Sequence, residues 1–245
     1  MGSASPGAPP LDLAVVIPVH DEAALAREVL DEWIGVLDGL GIAYAIEVYD
    51  DGSTDGSDRV LADVARAHPR VRVHRHENRG HGPTILRGYR EAEAAWIFQA
   101  DGDGEIPARE ALGLWTQRDG RDLVVGRRIG RTSTPLRRAV SFTARTSLAL
   151  LFGSALSDVN SPFRLMRRAW LDEALARIPD GSRVPNILIS AWAARSGARV
   201  LELPVPFRPR PARGSWLSSG RLLRFCAGAL AEVVRFSRAS AGARA

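Results

Sequence analysis

Short apolar runs alternate with segments of helical periodicity along this chain, and this alternation constrains the fold more than any other feature. The apolar run at 13–17 is stopped by Pro18, and apolar residues at helical spacing follow between Leu25 and Leu37. The alternation continues with predicted strands at 44–49, 71–75, 95–100 and 122–126 and predicted helices at 56–67, 83–94 and 107–118. Such a series is typical of an α/β protein, in which helices cover a mostly parallel sheet.

The second half of the chain is less regular, and we expect it to build the acceptor side of a binding site. Beyond residue 127 the pattern predicts a helix at 135–152, a strand at 163–166 and helices near 168–177 and 185–196. The first residues are rich in Gly, Ala, Ser and Pro, which is typical of a flexible leader. The predicted organisation is a leader at 1–11, one large domain at 12–216, and a C-terminal helix with a tail at 217–245.

The composition is that of a globular protein with excess positive charge. The chain has 245 residues, 45% of them hydrophobic and 25% charged, and a net charge of +5, which excludes a disordered or fibrous class. Its basic side chains other than histidine are all arginine. This reflects either a GC-rich genome or phosphate binding, because a guanidinium can bond two phosphate oxygens at once. The basic residues lack interleaved aromatic residues, which argues against a nucleic-acid-binding module.

Cysteine usage and the apolar runs predict a cytoplasmic protein. Cys226 is the only cysteine, so a disulfide within the chain is excluded, and no signal-peptide pattern opens the sequence. The longest apolar run, 148–156, is far shorter than the ~20 residues of a membrane-spanning helix.

Polar and acidic loops follow four of the predicted strands, at the edge where an open parallel sheet binds its ligands. The loops contain His20-Asp21-Glu22, Asp50-Asp51-Gly52-Ser53, Asn78-Arg79-Gly80-His81-Gly82 and Asp101-Gly102-Asp103-Gly104-Glu105. Because the carboxyl ends of parallel strands meet at one edge, we expect these loops to line one site.

The last of these loops carries three carboxylates, Asp101, Asp103 and Glu105. Alone they repel one another and raise each other's pKa, whereas a hard cation such as Mg2+ or Mn2+ accepts them as oxygen ligands and bridges to a diphosphate. The alternative is a solvated acidic turn whose glycines only shape the backbone. The histidines show no ligand spacing with a cysteine, so a zinc site is not expected.

Two adjacent acids, Asp50 and Asp51, end the second predicted strand. One of them could accept hydrogen bonds from the imide or amide edge of uracil or guanine, and residues 18–22 could face the same base and its ribose. Thr54 and Asp55, by contrast, are interpreted as residues that cap the next helix.

Taken together, these segments resemble the family 2 glycosyltransferases of the GT-A fold, in particular the dolichyl-phosphate mannose synthase and bactoprenyl-phosphate glucosyltransferase branch. The resemblance runs from about residue 13 to residue 236, with the motifs in family order. The matching motifs are residues 15–23, with Asp21 where Asn is usual, residues 49–55, residues 78–82 with Gly88, residues 101–103, residues 124–128 and residues 158–165.

The resemblance implies roles for residues in each motif. Asp101 and Asp103 correspond to the Asp-x-Asp pair and Glu105 to a further contact with Mg2+ or Mn2+. The implied catalytic residues are Asp103, Arg128 and Asp158, the last as candidate general base. The implied contacts with the nucleotide-sugar donor are Pro18, Val19, His20, Glu22, Asp50, Asp51, Gly80, His81, Asp101, Gly102, Arg210 and Ser215. The implied acceptor-side residues are Phe163, Arg164, Arg137 and Arg138, of which the last two could equally form a solvated basic helix face.

The match is imperfect at residues 203–215, which resemble the family's late loop over the donor phosphates. Arg210 and Ser215 keep the family spacing, whereas Arg213 stands where glycine is usual and Trp216 replaces a common lysine.

These observations predict an inverting, metal-dependent hexosyltransferase that moves a sugar from a UDP- or GDP-sugar to a polyprenyl phosphate. One alternative is the same donor chemistry on a hydroxyl of a small molecule or glycan, with Asp158 as base. An alternative of another class is a catalytically silent nucleotide-sugar-binding protein. A nucleotidyltransferase is disfavoured, because it would carry a Gly-rich, Arg-containing loop in place of His20-Asp21-Glu22.

Residues 217–236 predict a basic amphipathic helix. Its apolar residues, among them Phe225, Leu230 and Val233, lie near one face, and Arg224 and Arg235 flank them. Such a helix either lies on an anionic membrane or packs on the domain. The first alternative would hold the protein at the inner face of the cytoplasmic membrane.

Overall fold

A computed structural model describes residues 10–130, 146, 149–153, 156–208 and 219–240, with the backbone alone at 219–223. The predictions for residues 1–9, for most of the helix at 135–152, for the late loop beyond residue 208 and for the last five residues lie outside this part of the chain. Leu11, which the sequence assigns to the leader, is joined to the sheet, because its carbonyl accepts a hydrogen bond of 2.9 Å from Ala95 N.

The described elements follow the predicted alternation of strands and helices. The strands are β1 (Leu13–Val19), β2 (Tyr44–Asp51), β3 (Val71–His76), β4 (Trp96–Gln99), β5 (Leu123–Ile129), β6 (Arg164–Arg167) and β7 (Val200–Pro206). The helices are α1 (Ala26–Asp38), α2 (Ser57–Ala67), α3 (His81–Glu91), α4 (Ala111–Thr116), α5 (Arg168–Leu175), α6 (Pro185–Arg195) and α7 (Ser219–Ala239), with a 3-10 turn at Ala108–Glu110 before α4.

The strands form one mixed sheet in the order β3-β2-β1-β4-β6-β5-β7. Strands β1 to β4 are parallel to their neighbours among themselves, and β5 is parallel to β7. Strand β6 runs antiparallel to β4 and β5, and the expectation of a mostly parallel sheet flanked by helices is confirmed. Strand β6 is antiparallel because it begins at the same edge at which β5 ends.

Strand β7 differs from the prediction, because residues 203–206 were expected to belong to a loop. Pro204 and Pro206 hide this strand, because proline removes a backbone donor and is disfavoured inside sheets. Both are tolerated here because β7 is the edge strand and pairs only with β5.

Helices cover both faces of the sheet, and β1 lies between them. All seven residues of β1 are buried, and its side chains alternate between the faces. Val15 packs in the cluster that contains α1 and α2, whereas Val16 packs in the cluster that contains α3. Helix α3 approaches so closely that a Cβ atom at Gly88 would lie 2.4 Å from Val16 Cγ1. Strand β1 therefore packs tightly between the two layers of helices.

The C-terminal half of α7 packs on the domain, which is one of the two positions predicted for this helix. Val233 and Phe236 are buried, and the Phe236 ring lies 6.1 Å from the ring of Phe152. Earlier in the helix, Phe225 and Leu230 remain exposed. Of the helices that the structure describes, none has the length and hydropathy required to cross a membrane.

Candidate functional site

The parallel strands β1 to β4 bring the four predicted loops to one edge of the sheet. His20, after β1, lies against the loops that follow β2 and β3: its Nδ1 is 2.8 Å from the Asp51 carbonyl, and its Nε2 is 3.2 Å from Asn78 Nδ2. His81 starts α3, and its Nε2 is 3.5 Å from Asp101 Oδ1 in the loop after β4. The predicted convergence of these loops is therefore present.

The acidic loop after β4 forms a narrow pocket with the end of β5. Asp101, Asp103 and Glu105 line this pocket together with Arg128. Its remaining wall is formed by Ala100, Ile106, Pro162, Phe163 and Phe207. The pocket thus brings three carboxylates and one guanidinium together, and apolar side chains form most of the rest of its wall.

The ionised form of Asp103 is disfavoured in this pocket. Burial, and then the neighbouring charge of Asp101, raises the pKa of Asp103 to about 7. The hydrogen bond of 3.0 Å from Glu105 N to Asp103 Oδ1 opposes this rise. Within the described ranges, no three His, Cys, Asp or Glu side chains converge into a complete metal site. Mg2+-type sites commonly use one or two carboxylates and complete their shell with substrate phosphates and water, and Asp101 with Asp103 fits that pattern.

Gly102 allows the acidic loop to lie against the end of β1. A Cβ atom at this position would be 2.9 Å from the carbonyl oxygen of Pro18 and 3.1 Å from Val19 Cγ2. The glycine between the two acids therefore has a packing reason, and Pro18 and Val19 form the surface on which the loop rests.

The carboxylates of Asp50 and Asp51 accept hydrogen bonds from the backbone of the loops after β2 and β3. Asp51 is buried, and its two oxygens accept hydrogen bonds from Arg79 N at 2.7 Å and Gly80 N at 3.0 Å. Asp50 is completely buried, and Ser53 N donates to its Oδ1 at 2.9 Å. Asp50 Oδ2 is buried without a hydrogen-bond partner among the described residues, and it lies 3.5 Å from Arg75 Nε. Contact of Asp50 with a nucleobase stays a prediction.

Glu22 and its neighbours are held by the loop after β2. Asp21 has a positive φ of 54°, a conformation that Asn and Asp tolerate better than most residues, and its Oδ1 accepts the Thr54 N–H at 2.7 Å. Glu22 N donates to Ser57 Oγ at 2.9 Å, and the Glu22 charge contributes to the raised pKa of Asp103. Asp55 accepts a hydrogen bond of 3.0 Å from the backbone N of Ser57, the first residue of α2, but the N-cap position is Gly56. The interpretation of Thr54 as a capping residue is wrong, because its N–H donates to Asp21.

Arg128 and Asp158, both predicted as catalytic, form a two-point ion pair. Arg128 Nε lies 2.8 Å from Asp158 Oδ2, and Arg128 Nη2 lies 2.9 Å from Asp158 Oδ1. Burial works against the charge of Arg128, but the hydrogen bonds to Asp158 outweigh it and raise the pKa of the guanidinium. A carboxylate with both oxygens on an arginine is poorly placed to accept a proton, so the geometry argues against Asp158 as general base.

Two predicted acceptor-side residues lie in the interior. Arg164 is completely buried, and its guanidinium donates to the carbonyls of Ser161 at 2.8 Å and Asn186 at 3.0 Å. The rings of Phe163 and Phe98 make a T-shaped contact with 4.8 Å between their centroids. Phe163 also lines the pocket. Direct contact between Arg164 and an acceptor is therefore not supported, because this side chain braces the backbone. Arg137, Arg138, Arg210 and Ser215 lie outside the described residues.

Three buried polar residues beside the acidic loop were not among the predicted site residues: Gln99, Tyr89 and Asn186. Gln99 Nε2 donates to Asp101 Oδ1 at 3.0 Å, and Asn186 Nδ2 donates to Gln99 Oε1 at 3.0 Å. The available signal was a glutamine at the end of the otherwise apolar strand β4, directly before the acidic loop.

Comparisons with known proteins agree with this architecture. The family model described as glycosyl transferase family 2 matches residues 14–175. The undecaprenyl-phosphate 4-deoxy-4-formamido-L-arabinose transferase of Klebsiella pneumoniae subsp. pneumoniae is 30% identical over 214 residues, which cover 86% of this chain and 64% of that protein. The transferase of the same name from Edwardsiella ictaluri is 29% identical over 201 residues, which cover 81% of this chain and 60% of that protein. The chain thus spans less than two thirds of the length of these relatives.

Solved structures share the fold at low sequence identity. Glucosyl-3-phosphoglycerate synthase from Mycobacterium tuberculosis, in complex with UDP, gives a TM-score of 0.68 at 20% identity, covering 93% of this chain and 80% of that chain. The mannosyltransferase PcManGT from Pyrobaculum calidifontis, in complex with GDP-Man and Mn2+, gives a TM-score of 0.60 at 18% identity, covering 96% of this chain and 76% of that chain. Because the family model spans well over half of the sequence and these neighbours share its sheet and helix layers, the chain belongs to glycosyl transferase family 2 and has the GT-A fold.

Proposed function

We propose that this chain is a metal-dependent, inverting glycosyltransferase that moves a sugar from a nucleoside diphosphate sugar to a polyprenyl phosphate. The observation that carries the proposal is the pocket in which Asp101, Asp103 and Glu105 meet Arg128. The carboxylates suit a divalent cation and the guanidinium suits a phosphate. The names of the relatives, which are undecaprenyl-phosphate transferases, support a lipid phosphate as acceptor.

The donor is proposed to lie across the loops after β1, β2 and β3, with its diphosphate at the start of α3. The N–H groups at a helix N-terminus attract phosphate, and His81 and Gly82 are the first residues of α3, after Gly80, whose N–H donates to Asp51 Oδ2. His81 Nε2 is 3.5 Å from Asp101 Oδ1, so a diphosphate on this helix end would lie beside the acidic pocket. The neighbours solved with UDP and with GDP-Man support this class of donor.

The cation is assigned to Asp101 and Asp103, without the predicted third ligand Glu105, because no three such side chains converge among the described residues. When bound, a divalent ion stabilises the negative charge that develops on the leaving diphosphate. The raised pKa of Asp103 supports this assignment, because a cation would relieve the unfavourable burial of its charge and the repulsion from Asp101. Mn2+ is present in the complex of PcManGT, which supports the same class of ion here.

In the proposed reaction, an oxygen of the acceptor phosphate attacks the anomeric carbon from the side opposite the nucleoside diphosphate. The bond from that carbon to the diphosphate oxygen breaks, the electron pair leaves with the diphosphate, and the configuration inverts. Arg128 has five N–H donors, and its described contacts with Asp158 and Asn160 use those on Nε and Nη2. The donors on Nη1 are therefore proposed to bind the leaving diphosphate.

The ion pair of Asp158 with Arg128 favours a phosphate acceptor over a hydroxyl acceptor. A phosphate monoester is already ionised near neutral pH, so its attack requires no base, whereas a hydroxyl group must lose a proton. Because both Asp158 oxygens are engaged, we assign Asp158 to the positioning of Arg128.

A lipid acceptor requires access to a membrane surface, and we propose that α7 and the segment beside it provide that access. Leu150 is 81% exposed and Leu230 is 45% exposed, and Phe225 is exposed as well. Arg224 and Arg235 are exposed on the same helix and would attract anionic headgroups. This arrangement would place the protein at the inner face of the cytoplasmic membrane.

The test is a transfer assay with the purified chain, Mn2+, a short-chain polyprenyl phosphate and a panel of UDP- and GDP-sugars. We expect product with one nucleotide class, loss of product on chelation of the metal, and an anomeric configuration opposite to that of the donor by NMR. Asp101→Asn should lower turnover by about 100-fold or more.

The matched control is Asp119→Asn, which makes the same chemical change at a carboxylate that is 88% exposed, outside the pocket. It should leave turnover unchanged. Full activity of Asp101→Asn, or activity that survives chelation, would contradict the metal assignment, and transfer to a hydroxyl acceptor alone would contradict the phosphate acceptor.

A further inference from the structure

A network of buried polar side chains lies directly behind Asp101. Gln99 is completely buried, and its Nε2 donates to Asp101 Oδ1 at 3.0 Å. Its Oε1 accepts a hydrogen bond of 3.0 Å from Asn186 Nδ2 and lies 3.3 Å from the Tyr89 hydroxyl. The reaction proposed above gives none of Gln99, Asn186 and Tyr89 a role.

The neighbours of Gln99 determine which way its amide points. The Tyr89 hydroxyl donates to Asn186 Oδ1 at 2.7 Å, so the amide nitrogen of Asn186 is the group that faces Gln99. Burial, the largest effect, raises the pKa of Tyr89, so the phenol keeps its proton and remains a donor. An amide nitrogen only donates, and Gln99 therefore turns its oxygen towards Asn186 and its nitrogen towards Asp101. A flipped amide would place two donors together at Asn186 and two oxygens together at Asp101.

The backbone of α6 anchors this network. The Asn186 carbonyl accepts hydrogen bonds from Arg164 Nη1 at 3.0 Å and from Ser190 Oγ at 2.9 Å. Arg164 and Asn186 are both buried. The chain of contacts thus runs from the acidic loop through β4 to α6, and every step is a hydrogen bond between groups with little freedom to move.

We propose that Gln99 is a positioning residue, which holds the Asp101 carboxylate in the orientation that binds the divalent cation; this inference rests on the proposed metal-dependent function. Gln99 donates to Oδ1 only, which leaves Oδ2 available to a cation. Because the amide is neutral, it orients the carboxylate without cancelling the charge that attracts the metal. Partners of this kind behind a metal ligand typically change metal affinity by about 10- to 100-fold.

The experiment measures the affinity of the full chain for Mn2+ alone, from the electron paramagnetic resonance signal of free Mn2+. Gln99→Met keeps the length and apolar packing of the side chain but removes its donor. We expect the Kd for Mn2+ to rise by about 10-fold or more, while circular dichroism shows a folded protein at the assay temperature. Asp101→Asn, which removes the ligand itself, is the reference.

Gln117→Met is the matched control, because it makes the same change at the other glutamine of the chain, which is exposed. It should leave the Kd unchanged. If Asp101→Asn weakens Mn2+ binding and Gln99→Met does not, the positioning role is wrong and the metal assignment stands. If neither variant changes the Kd, the metal assignment itself fails.

A second variant keeps the proposal testable if Gln99→Met does not fold. Tyr89→Phe removes the hydroxyl that holds the Asn186 amide and leaves the ring in place. The Kd for Mn2+ should rise by a smaller factor, about 3-fold, as expected for one hydrogen bond further from the metal. An unchanged Kd in a folded Tyr89→Phe protein would overturn the proposed role of the network.

Discussion

Gly102 connects the packing of a single residue to the geometry of the acidic pocket. Alanine at this position would bring Cβ within 2.9 Å of the Pro18 carbonyl oxygen, and a backbone atom cannot swing aside as a flexible side chain can. We expect Gly102→Ala to displace Asp101 and Asp103, to destabilise the fold by about 1 to 3 kcal/mol and to weaken Mn2+ binding. Urea unfolding and Mn2+ titration measure the two effects.

Gly113→Ala is the control for this substitution. Gly113 lies in α4, and no atom lies within 4 Å of the Cβ position there. The variant should gain about 0.5 to 1 kcal/mol of stability, because alanine has the higher helix propensity, and should bind Mn2+ as the wild type does. Wild-type Mn2+ affinity in Gly102→Ala would show that close packing does not place the carboxylates.

Substitutions of Asp158 distinguish between two roles of this residue: holding Arg128 in position and accepting a proton from the acceptor. If Asp158 acts by holding Arg128, Asp158→Asn and Arg128→Gln should each lower kcat/KM by about 10- to 100-fold, and the double variant should be no worse than the poorer single one. The assay is steady-state transfer to the polyprenyl phosphate over a range of pH. Losses that multiply in the double variant, or an acidic limb of the pH profile that disappears in Asp158→Asn, would instead identify Asp158 as a base.

The site residues whose location could be predicted from the sequence are those that come just after the end of a strand. Asp101 and Asp103 directly follow a strand, so the topology alone brings them to the ligand edge. The partners of Asp158 and Gln99 could not be placed in this way, because they depend on how distant segments pack. Arg164 shows the same limit: a motif identifies it, but only burial reveals that its charge braces backbone carbonyls.

At the scale of elements, Asp122 connects strands β5, β6 and β7 at the end of the strands that lies away from the pocket. It precedes β5 and accepts hydrogen bonds from Arg167 at the end of β6, at 2.6 Å, and from Arg199 N just before β7, at 3.0 Å. Burial alone would raise the pKa of Asp122, but the hydrogen bonds from Arg199 and Arg167 outweigh it and lower the pKa well below the usual value. The ionised carboxylate therefore stabilises the native state.

This linkage predicts how the stability of the protein depends on pH. The folded pKa lies below the unfolded value of about 3.9, so the stabilisation is fully present above that value and is lost as the pH falls towards the folded pKa. Asp122→Asn should lower the free energy of unfolding by about 1 to 2 kcal/mol at pH 7, and the difference from wild type should shrink below about pH 4. Urea unfolding at pH 7, 5 and 3 measures this.

The control for Asp122 is Asp119→Asn, whose carboxylate is exposed and makes only a contact of 3.9 Å with Arg118. Its effect should stay within about 0.5 kcal/mol at each pH. A difference between wild type and Asp122→Asn that stays constant down to pH 3 would contradict the assigned ionisation.

The same scale shows why some elements were predictable and others were not. Strands β1 to β5 lie between segments of helical periodicity, and their existence could be predicted from that alternation. The antiparallel direction of β6 could not, because direction depends on the edge at which the strand begins. Strand β7 was hidden by its two prolines, which an edge strand tolerates.

At the scale of the whole molecule, the exposed apolar side chains beside α7 predict binding to anionic vesicles. Val233 and Phe236 anchor α7 to the domain. The part of the helix that precedes them, with Phe225 and Leu230, is therefore held at the surface. Insertion of apolar side chains into the headgroup region and attraction of arginines to anionic lipid act together in such binding. The wild-type chain should therefore co-sediment with anionic vesicles, and less with zwitterionic ones or at high salt.

The double variant Phe225→Ser with Leu230→Ser isolates the apolar contribution to this binding, since it leaves every arginine in place. We expect its partition onto anionic vesicles to fall by about 10-fold or more, because two large side chains no longer leave water. Leu112→Ser is the matched control: Leu112 is 39% exposed, but it lies on α4, whose buried residues pack on the face of the sheet opposite α7. Equal binding by the double variant and by Leu112→Ser would show that α7 does not contact the membrane, and transfer to the lipid phosphate would then require another route of access to the bilayer.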